Sequence, residues 1–236
     1  MGAVVDAAVA DARAYERGGA HALCLENFGD IPFTKGPVGC ETVAAMAVAG
    51  SAVRDAVRLP LGFNVLRNDA CAGLALCAAC GGSFIRVNVH TGAMLTDQGL
   101  IEGNAYATIR YRGRVAPEAE IFADVHVKHA VPLANQPLEI AAWDTLKRGL
   151  ADALIVSGVG TSLPAAVEDL QRLRRACPQA RLLVGSGVEA ASVAKYLDLA
   201  DGFIVASSLK RGGVLDNPVD ARRVAALARA IRAGRA

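Results

Sequence analysis

Short apolar runs alternate with longer amphipathic stretches along most of the chain. The runs at 22–27 (ALCLEN), 61–66 (LGFNVL), 83–90 (SFIRVNVH), 120–128 (EIFADVHVK), 153–158 (ALIVSG), 181–187 (RLLVGSG) and 202–208 (GFIVASS) each close on polar residues or glycine, and each predicts a β-strand. The segments between them carry helix signals. Ser162-Leu163-Pro164 precedes AAVEDLQRLRRA, offering a capping hydroxyl and a first-turn proline, and Asn217-Pro218 opens the amphipathic run VDARRVAALARAI. Strands alternating with helices give a parallel sheet with right-handed crossovers. Even spacing, with no G-x-G-x-x-G after the first strand, favours a single-domain α/β fold of the parallel (β/α) TIM-barrel type over a doubly wound sheet.

The first strand follows an amphipathic segment at 5–17 (VDAAVADARAYER) that reads as a helix. In an eight-stranded barrel this is the first helix, and the strand before it is missing. The expectation is therefore an N-terminally incomplete barrel over 1–236, with strands 22–27 and 202–208 presenting unpaired edges, left open or patched by another chain.

Composition sharpens this picture in three ways. The 236 residues are near the roughly 250 of one such barrel. The 53% hydrophobic content, with mean hydropathy +0.32, comes without any stretch that matches a membrane span of about 18 apolar residues, so it belongs to a core with strands buried on both faces. A net charge of +2 selects neither nucleic acid nor an anionic membrane, and the arginines at 172, 174, 175, 229, 232 and 235 read as solvated helix faces. Six cysteines without framework spacing or a signal peptide point to a reducing cytoplasm. Cys77-x-x-Cys80 reads as a pair of buried thiols rather than half a metal site.

Strand parity turns polar residues toward the barrel interior. In 120–128 it sets Asp124, His126 and Lys128 inward. In 83–90 it does the same for Arg86, Asn88 and His90, in 61–66 for Asn64, and in 22–27 for Glu26. A barrel core built for stability takes Val, Ile and Leu at such positions, because a buried charge costs several kcal/mol unless paired. Arg86 and Asp124 form a candidate pair, which either serves only itself or belongs to a site. Asn64, Asn88, His90, His126 and Lys128 lie nearer the strand ends, where barrel chemistry is found. Long glycine-containing loops follow Glu26-Asn27 and His90, consistent with a covered site, and Asp69 reads either as a helix cap or as part of that site.

Near the C-terminus, Gly185-Ser186-Gly187 ends one strand ahead of an expected helix (VEAASVAKYL), and Ser207-Ser208 ends the next. Loops after the last two barrel strands, with a following helix N-terminus, form a phosphate cradle. Lys210 either neutralises that phosphate or lies in solvent.

At these residues the chain resembles the BtpA (BtpA/SgcQ) family. The matching stretches are LENFGDIPF at 25–33, NVLRND at 64–69, FIRVNVHTGAMLTDQGLIEG at 84–103, ADVHVKHAVPL at 123–133, Ser157-Gly158, GSG at 185–187 and LKRGGVLDNPVD at 209–220. The resemblance implies a barrel similar to the ribulose-phosphate-binding superfamily and, for the founding member, a role in photosystem I biogenesis. It also implies a first strand with a histidine and a proline-rich loop ahead of residue 1.

The expected ligand is a phosphate-bearing small molecule. Gly185, Ser186, Gly187, Ser207, Ser208, Arg67, His90 and Ser157 are candidates to bind it, and Asp124, His126, Lys128, Asn88, Asn64 and Glu26 are candidates for chemistry on it. Three readings stand. The first is an enzyme (lyase, isomerase or hydrolase) of phosphorylated sugars, in which Asp124 or His126 moves a proton and Lys128 stabilises negative charge or acts as an amine nucleophile. A metal-assisted version would draw on His90, Asp124, His126 and His129, with His129 turned away by parity; no metal set or cofactor is assigned. The second is an assembly factor with an apolar patch outside the mouth, and the third a barrel that binds phosphate without turnover. Association into homo-oligomers is left open.

Overall fold

The computed structural model describes residues 1–158 and 160–235. Its main sheet holds seven parallel strands in the order β1 (Leu23–Glu26), β2 (Leu61–Asn64), β3 (Phe84–Val87), β6 (Glu120–Val125), β8 (Ala153–Val156), β9 (Leu182–Val184) and β10 (Gly202–Phe203). These are the seven strands expected, in chain order. Two expectations fail at their boundaries: the third run ends at Val87, and the fourth ends at Val125, where His126 takes a positive φ of 51° and His129 follows at 56°. Period-2 alternation stops there.

The sheet curls into a half-barrel. Among the described residues no ladder joins β1 to β10, so both remain edges. Helices α1 (Gly2–Gly18), α2 (Cys40–Ala56), α3 (Ala70–Cys80), α4 (Ala105–Val115), α5 (Leu138–Trp143), α6 (Val167–Ala176) and α7 (Ala221–Arg235) clothe its outside. α1 packs on both α2 and α7, and so spans the gap between the two edges. The close approach of α1 and α7 needs the missing side chain of Gly18, whose position faces Val224. Lys210 is spent on this junction: its Nζ donates to Asp11 of α1, whose other carboxylate oxygen accepts from the Val219 N–H at 2.8 Å.

Two apolar clusters fill the space between sheet and helices. One gathers Leu154, Leu170, Leu173, Leu182 and Tyr196; the other gathers Phe63, Leu74, Leu76, Ile85 and Ile121. Cys77 and Cys80 belong to the second, donating to the carbonyls of Phe84 and Ala47, and burial pushes the Cys77 thiol up to about 12.

The loop expected after His90 is instead a hairpin, β4 (Ala93–Thr96) and β5 (Gly99–Glu102). With β7 (Ala130–Pro132) it forms a second, three-stranded antiparallel sheet. Met94 and Ile101 from its inner face pack with Val89 and Val127. Both helix-start expectations also shift. α6 begins at Val167 with Ser162 at φ 64° and no capping side chain, and α7 is capped by Asp220, which accepts from the Arg222 N–H at 2.9 Å. Asn217 instead donates to the Arg211 carbonyl. After Gly187 the expected helix shrinks to a 3-10 turn, Val193–Tyr196.

Candidate functional site

The carboxyl ends of β1, β2, β3, β6 and β8 hold a connected polar cluster. Arg86 Nε and Nη2 donate to the two carboxylate oxygens of Asp124 at 2.9 and 3.0 Å, a fork-to-fork pair. Its Nη1 reaches Glu26 Oε1 at 3.4 Å. Asn88 Nδ2 and Ser157 Oγ add bonds to Asp124 at 3.0 and 3.1 Å, and Asn64 Nδ2 donates to Asn88 Oδ1 at 3.2 Å and to the Arg86 carbonyl at 3.0 Å. Burial alone would pull the Arg86 guanidinium down, but Asp124 and Glu26 more than offset it and fix Arg86 as a cation. With four donors on it, Asp124 has its acceptor positions filled. Asn64 Oδ1 and Arg67 Nε are buried without a partner among the described residues.

Two more cations face this cluster. Arg67 Nη2 donates to the Lys128 carbonyl at 2.6 Å, which brings the β2 and β6 loops together. Burial, then Arg86, draws the Lys128 ammonium below the ordinary lysine value, against Glu26 and Asp124. Among the described residues neither Arg67 nor Lys128 makes an ion pair. Asp97, at the tip of the β4–β5 hairpin, is close enough to Arg67 to act on it electrostatically.

A cleft of about 1410 Å³ runs from this mouth along the gap between β1 and β10. Glu26, Arg86 and Lys128 line it together with Gly185–Gly187, Ser207 and Ser208. Lower down, the stacked rings of Phe84 and Phe122, 4.8 Å between centroids, supply an aromatic floor. Gly185 must be glycine here, since a Cβ would stand 2.6 Å from Ile155 Cγ2 and 2.9 Å from Ser157 Oγ. Among the described residues no acceptor is bonded to the backbone N–H of Ser186, Gly187, Ser207 or Ser208. The Ser186 hydroxyl is occupied, accepting from the Gly158 N–H and donating to the Leu163 carbonyl, and Ser208 Oγ donates to the Val188 carbonyl.

Two expected members lie elsewhere. His126 takes Asp169 and Arg172 of the helix layer as its electrostatic neighbours, because its positive φ turns it off the strand's inner face. His90 Nε2 meets the Gly149 carbonyl at 2.8 Å, with Arg112 and Asp152 nearby, so it too is packed among the helices. His129 pairs with Thr161. Asp69 is a cap, accepting from the Ala72 N–H. Conversely, Arg223 lines the cleft and donates to the Ser208 carbonyl at 2.8 Å, although nothing in its sequence context separates it from its solvated neighbour Arg222. Among the described residues no cluster of His, Cys, Asp and Glu is arranged to hold a metal.

The profile of the BtpA family matches residues 1–233. The chain belongs to the BtpA family. It is 44% identical over 232 residues to the photosystem I biogenesis protein BtpA of Synechocystis sp., covering 98% of this chain and 81% of that protein. An uncharacterized protein of Thermococcus kodakarensis is also 44% identical, covering 97% and 87%. The putative sgc region protein SgcQ of Escherichia coli is 36% identical, covering 95% and 83%. Among solved structures, thiamine phosphate pyrophosphorylase from Pyrococcus furiosus superposes with a TM-score of 0.65 at 14% identity, covering 96% of this chain and 90% of that one. Phosphoribosyl anthranilate isomerase from Thermus thermophilus does so at 0.61 and 15%, covering 95% and 94%. These likenesses establish a TIM-barrel-type fold for this member of the BtpA family. No helix among the described residues is long and apolar enough to cross a membrane.

Proposed function

We propose that this BtpA-family protein binds a phosphorylated small molecule in the cleft, with the phosphate on the loops after β9 and β10 and the remainder directed at Glu26 and Lys128. The observation that carries this reading is the set of uncommitted backbone N–H groups at Ser186, Gly187, Ser207 and Ser208, lining the same cleft as two charged side chains, Glu26 and Lys128. Converging N–H groups make an anion concavity even where no long helix follows. Arg223, on the Ser208 carbonyl, adds a positive charge. The superposed enzymes, whose names specify thiamine phosphate and phosphoribosyl compounds, support the same ligand class.

The chemistry assigned to this site is proton transfer. Asp124 is held by four donors and serves to position Arg86, so the exchanging groups are Glu26, partly exposed beside Arg86, and Lys128, whose amine burial brings nearer to neutrality. Arg67 positions Lys128 through its backbone carbonyl. This arrangement fits a lyase or isomerase of a phosphorylated sugar better than a reaction that uses His126. Calorimetric titration with a pentose 5-phosphate tests it. Gly187→Ala, at φ 64° and against Pro164, is expected to weaken binding at least about tenfold, and Lys128→Met to weaken it with the phosphate contact retained. Unchanged affinity in both variants would refute the assignment.

A second reading rests on the 44% identity to the Synechocystis protein, whose name specifies photosystem I biogenesis. In that reading the ligand-bound barrel acts in assembly of that complex. Deletion of the gene in a photosynthetic host, followed by measurement of photosystem I content, separates the two.

A further inference from the structure

The small antiparallel sheet is apolar on both faces. Its inner face carries Met94 and Ile101, both buried against Val89 and Val127. Its outer face sets Leu100, Leu95 and Val131 side by side across the three strands, since Leu95 is paired with Leu100 on one side and Val131 on the other. These three are 39%, 53% and 63% exposed, and Leu133, just past β7 and bonded to the Ala93 carbonyl, is 62% exposed. An antiparallel sheet with one free face normally turns polar residues outward. Here the one charged side chain on that face is Glu102, opposite Ala93 at the corner.

We infer that this face is a self-association surface, where a second copy of the same chain packs its own Leu95 row. Three features select a second copy. First, the four side chains expose roughly 400 Å² of apolar surface, within the range of the often functional largest patch on a monomer, and about half of the roughly 800 Å² per partner of a standard interface, so it would form that interface's apolar centre. Second, the outer strands β5 and β7 are both sheet edges, and an antiparallel edge can meet its own copy about a two-fold axis with no new surface required. Third, the face carries a single charge, Glu102 at its corner, too little to select a differently charged partner, and the chain's net charge of +2 opposes self-association only weakly. The inference is independent of what the cleft binds.

Sedimentation equilibrium of the full chain tests it. The wild type is expected at twice its 24.4 kDa mass, dissociating on dilution. Leu95→Asp should sediment as a monomer with an unchanged circular dichroism spectrum. Should Leu95→Asp fail to fold, Val131→Lys, on an edge strand at a more exposed position, makes the same test. A wild type that stays monomeric throughout, including one that is captured by a different protein, overturns the inference. So does a dimer that survives in either folded variant.

Discussion

Asp124 joins three other side chains of the mouth, accepting two bonds from Arg86 and one each from Asn88 and Ser157 with none of its own side chain exposed. Removing it leaves a buried guanidinium with only the longer Glu26 contact. Asp124→Ala should therefore cost about 3–5 kcal/mol in denaturant unfolding, while Glu26→Gln should cost well under half of that. Equal costs would show that the Arg86–Asp124 pair is not the anchor. The histidines make a pH prediction. Burial lowers His90, and the Gly149 bond only partly opposes it; burial also lowers His126. In the window just below the ordinary imidazole value the unfolded chain takes up protons that the folded chain refuses, so stability is present above that value and lost as pH falls through it. Melting should drop between about pH 7.5 and about pH 5, and His90→Gln should shrink the drop. A larger drop in the variant would reverse the sign and sink the account. Parity read Glu26, Asn64, Arg86, Asn88 and Asp124 correctly because each sits on or beside a regular strand. It failed at His90 and His126, which lie beyond the last ladder residues, where backbone turns invisible to a two-residue period decide direction.

Among the elements, the parallel strands were legible because each is buried on both faces and reads as a short apolar run bounded by polar residues or glycine. β4, β5 and β7 were not, since strands of three or four residues in a glycine-containing stretch look like loop, and their pairing is nonlocal: β4 meets β7 across the whole of α4 and β6. The 3-10 turn at Val193–Tyr196 shows the opposite error. VEAASVAKYL has helical composition, but Gly187 takes the left-handed region, and the single helical turn that the Ser192 and Val193 N–H groups close on the Glu189 carbonyl passes into the 3-10 turn instead of propagating as an α-helix. The proposed anion site consequently has no long helix behind it. The α1–α7 contact offers an element-level test. Any side chain at Gly18 must displace Val224, so Gly18→Val should destabilise by about 1–3 kcal/mol in chemical denaturation, whereas Gly2→Val, which meets nothing within 4 Å, should be neutral. Neutrality at both would mean that α1 is not clamped to α7.

At the scale of the whole fold, a seven-stranded curled sheet whose β1 and β10 are unpaired among the described residues leaves a cleft that runs from the mouth along their gap, lined there by α1 and α7. The helix at 5–17 ahead of the first strand implies the unpaired edges, and motifs spread along the chain imply the family. The cleft itself is not legible in the sequence, because a void is made by chain segments distant from one another along the chain. The loops proposed to hold phosphate, at one end, and the Glu26–Arg86–Lys128 group at the other share that void. The direct test is a two-dimensional ¹H–¹⁵N spectrum of the assigned protein titrated with inorganic phosphate. Saturable shifts confined to the amides of Ser186, Gly187, Ser207, Ser208 and their immediate neighbours are predicted. Shifts that never saturate, or that gather instead on the arginine-bearing faces of α6 and α7, would contradict the assignment of the cleft as a phosphate site.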